Sequence, residues 1–190
     1  MDKNRLESFS DGVLAIIITI MVLNLTVPTG SDFKSLYHTI PIFLGYVLSF
    51  IYVGIYWNNH HHLLKAAKNI SGRVLWANLI FLFWVSLLPF STAWMAQNYF
   101  IRWPTMLYGI VILMAGISFL TLQREIIKAD GEESKLKKAI GDDYKGKITI
   151  LLKFIAIFIA IIIPIIAQLI YIIVVIIWLL PDTRIERVLD

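Results

Sequence analysis

Long apolar runs separated by short polar segments dominate the chain. Four of these runs, at 12–27, 40–57, 74–101 and 106–123, contain no charged residue. A helix that spans a bilayer needs ~20 mostly apolar residues, within a range of ~17–25. The pattern therefore predicts four transmembrane helices.

A fifth apolar run, 148–180, is interrupted only by Lys153, Pro164 and Gln168. One straight helix of that length would be ~50 Å long at ~1.5 Å per residue, well beyond a hydrocarbon core of ~30 Å. Two helices folded at Pro164 would each be short, but they could form a hairpin. Lys153 lies near the start of the run, where its side chain could extend to the cytoplasmic surface.

The distribution of basic residues favours the hairpin. Short cytoplasmic loops collect Lys and Arg. The connectors 28–39 and 97–105 each hold one basic residue, whereas the second connector holds three and the segment 124–147 holds seven. This alternation places the N-terminus in the cytoplasm. Arg184 and Arg187 favour a cytoplasmic C-terminus, which requires an even number of crossings, so we expect six.

The chain is expected to form a single transmembrane domain, 1–190, in the plasma membrane, with both termini cytoplasmic. The expected spans are about 6–27, 38–63, 73–97, 104–123, 148–163 and 165–180, with a cytoplasmic linker at 124–147. The composition is 58% hydrophobic and 16% charged, without cysteine, whereas average soluble domains are about 25% charged. These values exclude a disordered chain, a disulfide scaffold, thiol chemistry and an ordinary soluble enzyme. The predicted fold class is an all-α polytopic membrane protein.

The first span has one distinctive face. At about 100° per residue, one side of the helix carries Phe9, Gly12, Ile16, Thr19, Ile20, Leu23 and Val27. This stripe is apolar except for the hydroxyl of Thr19. It could pack on a neighbouring helix, face lipid or line a pore. In a fourfold pore it would form hydrophobic rings with one hydroxyl ring, and hydrophobic constrictions gate ions by dewetting.

Polar residues gather at the cytoplasmic ends of the first three spans. A charge at depth costs at least ~2.5–3.5 kcal/mol on insertion scales, so Arg5 and Asp11 need partners or an interfacial position. They could pair with each other or bond to other helices. The segment 58–62 reads Asn-Asn-His-His-His, and we expect one of its histidines to bond Asp11 or Ser10, with Asn78 able to join.

The three adjacent histidines do not predict a metal site. Consecutive residues of a helix point about 100° apart, so the three rings cannot reach one ion. No HExxH motif accompanies them, and no nucleophile set is evident. We therefore expect no metal, no cofactor and no enzymatic activity.

The element Arg5-x-x-x-Phe9-Ser10-Asp11, which opens an apolar first helix, resembles the transmembrane protein 175 family of potassium channels in its short prokaryotic form. The similarity continues along nearly the whole chain. It includes Tyr56-Trp57-x-x-His60-His61, Leu87-Leu88-Pro89-Phe90-Ser91-Thr92 and Trp178-x-x-Pro181-Asp182-x-Arg184.

The resemblance implies a homotetramer with six helices per subunit and a central pore lined by the first helix. It implies that Ile16, Ile20 and Leu23 form the constriction and that Thr19 contributes to potassium preference. It also implies a structural network that ties the first helix to its neighbours. The residues of this network would be Arg5, Phe9, Ser10, Asp11, His60 or His61, and Asn78. The expected partners are the lipid bilayer and monovalent cations, with no nucleic acid.

The function expected from these features is passive conduction of potassium ions. The chain contains no Thr-Val-Gly-Tyr-Gly filter and no helix with an arginine at every third position, so selectivity would come from side chains in a constriction. A secondary transporter is the alternative, although it would normally show duplicated broken helices and a charged midplane site. Proton leak is a second alternative, because a lysosomal relative conducts protons.

Overall fold

The computed structural model describes residues 2–141 and 143–179, and the regular secondary structure of this part of the chain is all helical. Its α-helices are α1 Lys3–Leu23, α2 Phe33–Leu36, α3 Ile40–Ala66, α4 Gly72–Ser86, α5 Leu88–Gln97, α6 Arg102–Asp130, α7 Lys135–Ile140, α8 Tyr144–Ile162 and α9 Pro164–Leu179, with a 3-10 turn at Gly131–Glu133. Four helical stretches within it are long and apolar enough to span a membrane: Lys3–Leu23, Ile40–Ala66, Gly72–Gln97 and Arg102–Asp130. The shorter helix α9 is also apolar.

The third stretch is broken at Leu87, between α4 and α5. Pro89 has no backbone N–H, and its ring would clash with the carbonyl four residues earlier. The chain responds with a tighter turn, in which the Leu87 N–H bonds the carbonyls of Trp84 and Val85. The two short helices together still make one apolar stretch of bilayer length.

The last apolar run folds into two helices, as we expected from the hairpin. Helix α8 ends at Ile162, Ile163 leaves the helical conformation, and Pro164 opens α9, a position at which its missing N–H does no harm. Trp178 near the end of α9 donates to the hydroxyl of Thr149 near the start of α8 at 3.1 Å. The helices are therefore antiparallel. The expected end of the sixth span at residue 180, the Pro181-Asp182-x-Arg184 element and Arg187 lie outside the described residues.

The segment expected as a solvated linker is partly structured. Helix α6 continues to Asp130, seven residues past the expected end of the fourth span at 123. The Asp130 carboxylate accepts the backbone N–H groups of Lys68 and Asn69, at 3.1 and 2.8 Å. Leu136 and Ile140 of α7 are buried against the bundle. These contacts hold the segment to the C-terminal end of α3 and the loop that precedes α4.

Helix α6 lies at the centre of the bundle and packs against α4, α5, α8 and α9. Its small residues Ala115 and Gly116 allow close approach of neighbouring helices. Tyr56, Phe81 and Phe119 form a buried aromatic cluster between α3, α4 and α6, with ring centroids 5.4–5.9 Å apart. Helix α1 packs at one side, against α3, α4 and α5.

Candidate functional site

Helix α1 has two faces of different character. Its buried residues follow a spacing of three or four and face α3, α4 and α5: Leu6, Ser10, Leu14, Ile17 and Met21. Such spacing places side chains on one side of an α-helix. The buried face therefore fixes the rotation of α1, and with it the direction in which the opposite stripe points.

The expected constriction residues lie on the outward face of the subunit. Ile16 is 59% exposed, Ile20 46% and Leu23 81%, and Phe9 at the N-terminal end of the stripe is half-exposed. The hydroxyl of Thr19 is exposed between them and donates to the Ile16 carbonyl at 2.8 Å. Because its proton is used within the helix, the exposed oxygen is left to act as a hydrogen-bond acceptor.

A buried polar triad ties α1 to α3 and α4. The amide nitrogen of Asn78 donates to the Ser10 hydroxyl at 3.0 Å, and its amide oxygen lies 2.7 Å from His60 Nε2. Ser10 in turn donates to the Leu6 carbonyl at 2.8 Å. Since the amide oxygen can only accept, His60 must carry its proton on Nε2. All three side chains are fully buried.

A second set of contacts forms a ladder between α1 and α3. Its three rungs are Lys3 to the carbonyl of Lys65 at 3.1 Å, Glu7 to His61 Nδ1 at 2.9 Å, and Asp11 to Trp57 Nε1 at 3.0 Å. Each step of four residues forward on α1 matches a step of four residues back on α3. The two helices are therefore antiparallel neighbours with a fixed register.

The structure brings together most of the residues expected in the network, but with different partners. Within the described part of the chain, no histidine bonds Asp11 or Ser10 directly. Asp11 accepts instead from Trp57, and Asn78 bridges Ser10 and His60. Arg5 is exposed and makes no hydrogen bond or ion pair with any described residue, so the Arg5–Asp11 pair is not formed.

Sequence reasoning missed Lys3, Glu7 and Trp57. The sequence feature that could have revealed them is a four-residue spacing of polar groups on both α1 and α3. This spacing places the polar groups of each helix on one face. The rings of His61 and His62 meet edge to face, with centroids 5.6 Å apart and planes at 67°. Among the residues that the structure describes, no group of three or more His, Asp or Glu side chains could hold a metal ion.

These features define a polytopic helical membrane protein with an outward-facing apolar stripe on its first helix. The family model described as "Endosomal/lysosomal potassium channel TMEM175" matches residues 5–89. A protein named as a potassium channel in Chryseobacterium sp. (strain P1-3) is 51% identical over 187 residues, which are 98% of this chain and 97% of that protein. The chain belongs to the TMEM175 family, whose members are cation channels and not enzymes.

Two further similarities extend this result. The human protein named "Endosomal/lysosomal proton channel TMEM175" is 34% identical over 103 residues, which are 48% of this chain and 20% of that protein. The crystal structure of a lysosomal potassium-selective channel TMEM175 homolog from Chamaesiphon minutus matches with a TM-score of 0.79 and 23% identity. That match covers 95% of this chain and 97% of the other, and it shows that the two share a fold.

Proposed function

We propose that the protein is a potassium-permeable channel in which four copies of α1 surround a central pore. The observation that carries this proposal is the outward-facing stripe of Ile16, Ile20 and Leu23, which exposes about one large apolar side chain per turn. Exposed apolar residues alone fit a lipid contact equally well. The Thr19 hydroxyl on the same stripe supports a pore, because its exposed oxygen could take part in the hydration of a cation there.

In this arrangement the stripe supplies both the gate and the selectivity. Rings of Ile16, Ile20 and Leu23 would narrow the pore and exclude water, so that ions cross only when the rings widen. A ring of Thr19 hydroxyls would replace part of the hydration shell of a cation. The Chryseobacterium relative is named as a potassium channel, which supports potassium as the conducted ion.

The proposed subunit crosses the plasma membrane six times, with both termini cytoplasmic. Helices α8 and α9, with 19 and 16 residues, would be about 28 and 24 Å long at 1.5 Å per residue, close to the ~30 Å thickness of the core. The segment 124–147 would be the cytoplasmic linker. The triad and the ladder would anchor the inner half of α1, and Arg5 and Phe9 lie beside them on the same helix.

The test is potassium and sodium flux into liposomes that contain the purified protein. Its assembled mass should be about four times the 21.8 kDa of one subunit. We expect Leu23→Ala to raise potassium flux severalfold and Ile16→Asn to do the same, because a wider or wetter ring lowers the dewetting barrier. The matched control is Val22→Ala, which truncates an exposed apolar residue of α1 that lies off the stripe.

Three outcomes would contradict the proposal. The first is equal flux in wild type, Leu23→Ala and Ile16→Asn, and the second is an equal increase in Val22→Ala. The third is the absence of flux in a tetrameric preparation, which would show that the protein does not conduct ions. Proton permeation is a second candidate, favoured by the name of the human relative. A pH-sensitive dye inside the same liposomes, under a potassium gradient, tests it directly.

A further inference from the structure

Lys153 lies inside the bundle rather than at its surface. The side chain is 4% exposed, and it extends from α8 toward α3 and α6. A Cβ atom on Gly116 would lie 3.1 Å from its Nζ, so the glycine leaves the space that the amine needs. The expectation that Lys153 extends to the cytoplasmic surface is therefore wrong.

The amine lies beside two aromatic rings, and no described carboxylate pairs with it. Its Nζ lies 5.6 Å from the ring centroid of Tyr52 and 5.8 Å from that of Tyr56, and only a cation gains from such ring contacts. The one hydrogen bond it makes to a described residue is a long one, 3.5 Å, to the Tyr56 hydroxyl. An ammonium group has three donors, so two of them lack an acceptor.

A cavity of about 30 Å³ adjoins the amine. The polar side chains that line it are those of Tyr52, Tyr56, Asn59, Thr149, Lys153 and Trp178, and its described lining includes no carboxylate. One water molecule needs ~10–15 Å³ of such space. The cavity therefore admits a ligand of two or three water-sized atoms and excludes a phosphate-bearing lipid headgroup.

A second, smaller cavity indicates the route of access. It shares Asn59, Phe119 and Trp178 with the first and reaches Gln123 and Asp143 at the cytoplasmic end of α8. The Lys145 ammonium lies 4.7 Å from the centroid of the Trp178 ring, beside this route.

The acidic group at the opening is already engaged. The Asp143 carboxylate accepts from the Gly146 N–H at 3.2 Å and from the Gln123 amide at 3.5 Å. Its charge is thus partly offset where an anion would pass.

We propose that the cavity beside Lys153 binds a small monovalent anion, of the size of chloride or formate. A buried ammonium without a counterion is costly, and none of the described lining residues supplies one. A bound anion would accept the two remaining N–H groups and neutralise the charge. The site lies within one subunit and does not depend on the proposed pore.

Crystals of the full chain, grown with bromide in place of chloride, test the proposal directly. We expect an anomalous difference peak within hydrogen-bonding distance of Lys153 Nζ. Lys153→Met keeps the length and apolar stem of the side chain, so the peak should disappear in this variant. Lys128→Met removes an exposed lysine of α6 that pairs with Glu125 at 2.6 Å, and the peak should remain there.

The anomalous difference map of the wild-type protein tests the proposal even if Lys153→Met does not fold. A cavity that is empty or holds only water, with bromide visible elsewhere, would overturn the proposal. The solution measurement is thermal unfolding at constant ionic strength, with chloride exchanged for gluconate, which is too large for the cavity. We expect chloride to raise the melting temperature of wild type and Lys128→Met but not of Lys153→Met. An equal rise in all three proteins would also overturn the proposal.

Discussion

At the scale of single residues, Asn78 has the largest structural role in the candidate site. Its amide donates to Ser10 of α1 and accepts from His60 of α3, so one side chain joins three helices. The ring of His60 also stacks on Phe81, at 13° between the planes and 5.6 Å between the centroids. Inside a bilayer no water replaces a lost partner, so each bond of the triad depends on the others.

We therefore expect Asn78→Leu to destabilise the protein strongly. The change has nearly the same volume, but it leaves the Nε2–H of His60 without an acceptor, at a cost of about 1–3 kcal/mol for each buried unsatisfied group. The measurement is the midpoint of thermal unfolding in detergent. Asn4→Leu, an exposed position on α1, is the matched control and should change little. Equal midpoints for the two variants would contradict the role of the triad.

The sequence predicts residues better than it predicts their partners. Ser10, Asp11, His60 and Asn78 could be placed at one membrane face because helical periodicity and the positive-inside rule locate them. Their pairings could not be derived, since the relative rotation of two helices depends on packing across the whole bundle. The orientation of Lys153 depends on the missing side chain of Gly116, a steric detail that no pattern of polarity reveals.

At the scale of elements, close helix packing depends on a few small residues. A Cβ atom on Gly109 of α6 would collide with the Tyr171 hydroxyl of α9 and approach Ile157 of α8. By contrast, a Cβ atom on Gly54 of α3 would meet nothing within 4 Å. The two glycines therefore differ in function, although both lie inside helices.

This difference gives a paired prediction. Gly109→Ala should lower the unfolding midpoint, because overpacking a well-packed interface costs typically about 1–3 kcal/mol. Gly54→Ala should raise it slightly, since alanine is favoured over glycine in a helix by about 0.5–1 kcal/mol. Thermal unfolding of the two variants beside wild type is the measurement. A midpoint for Gly109→Ala at or above that of Gly54→Ala would show that the α6–α9 interface has room for an added methyl group, which contradicts the close contact of Gly109 with Tyr171.

At the scale of the whole molecule, four spanning stretches could be predicted because apolar length and absence of charge are sufficient signals. The last run needed more information. Its 33 residues are too many for one spanning helix and too few for two of about 20 residues each. The break in the helix at Ile163 follows from the proline at position 164. The extension of α6 to Asp130 was not predicted, because its stabilising bonds go to backbone groups of a distant loop.

The proposed topology can be tested because the chain contains no cysteine. Single cysteines introduced as Lys34→Cys and Lys135→Cys should differ completely in labelling by a membrane-impermeant maleimide in intact cells. We expect labelling at position 34, outside, and none at 135 until the cells are opened. Asp190→Cys should behave like Lys135→Cys if the chain crosses six times. Labelling of Asp190→Cys in intact cells would indicate an odd number of crossings.

The anchoring of α1 has a mechanical consequence. Among the described residues, its side-chain bonds to other helices lie at its N-terminal end, from Lys3 to Asp11. Beyond Asp11, the described side chains of α1 make no hydrogen bond with another helix, and the buried Leu14, Ile17 and Met21 hold this part of α1 by packing alone. Helix α1 is thus hydrogen-bonded to other helices at its N-terminal end and only packed against them toward its C-terminal end. Leu23 lies about 18 Å along the helix from Asp11. A small tilt of α1 about its hydrogen-bonded end would therefore displace Leu23 more than any other residue of the helix.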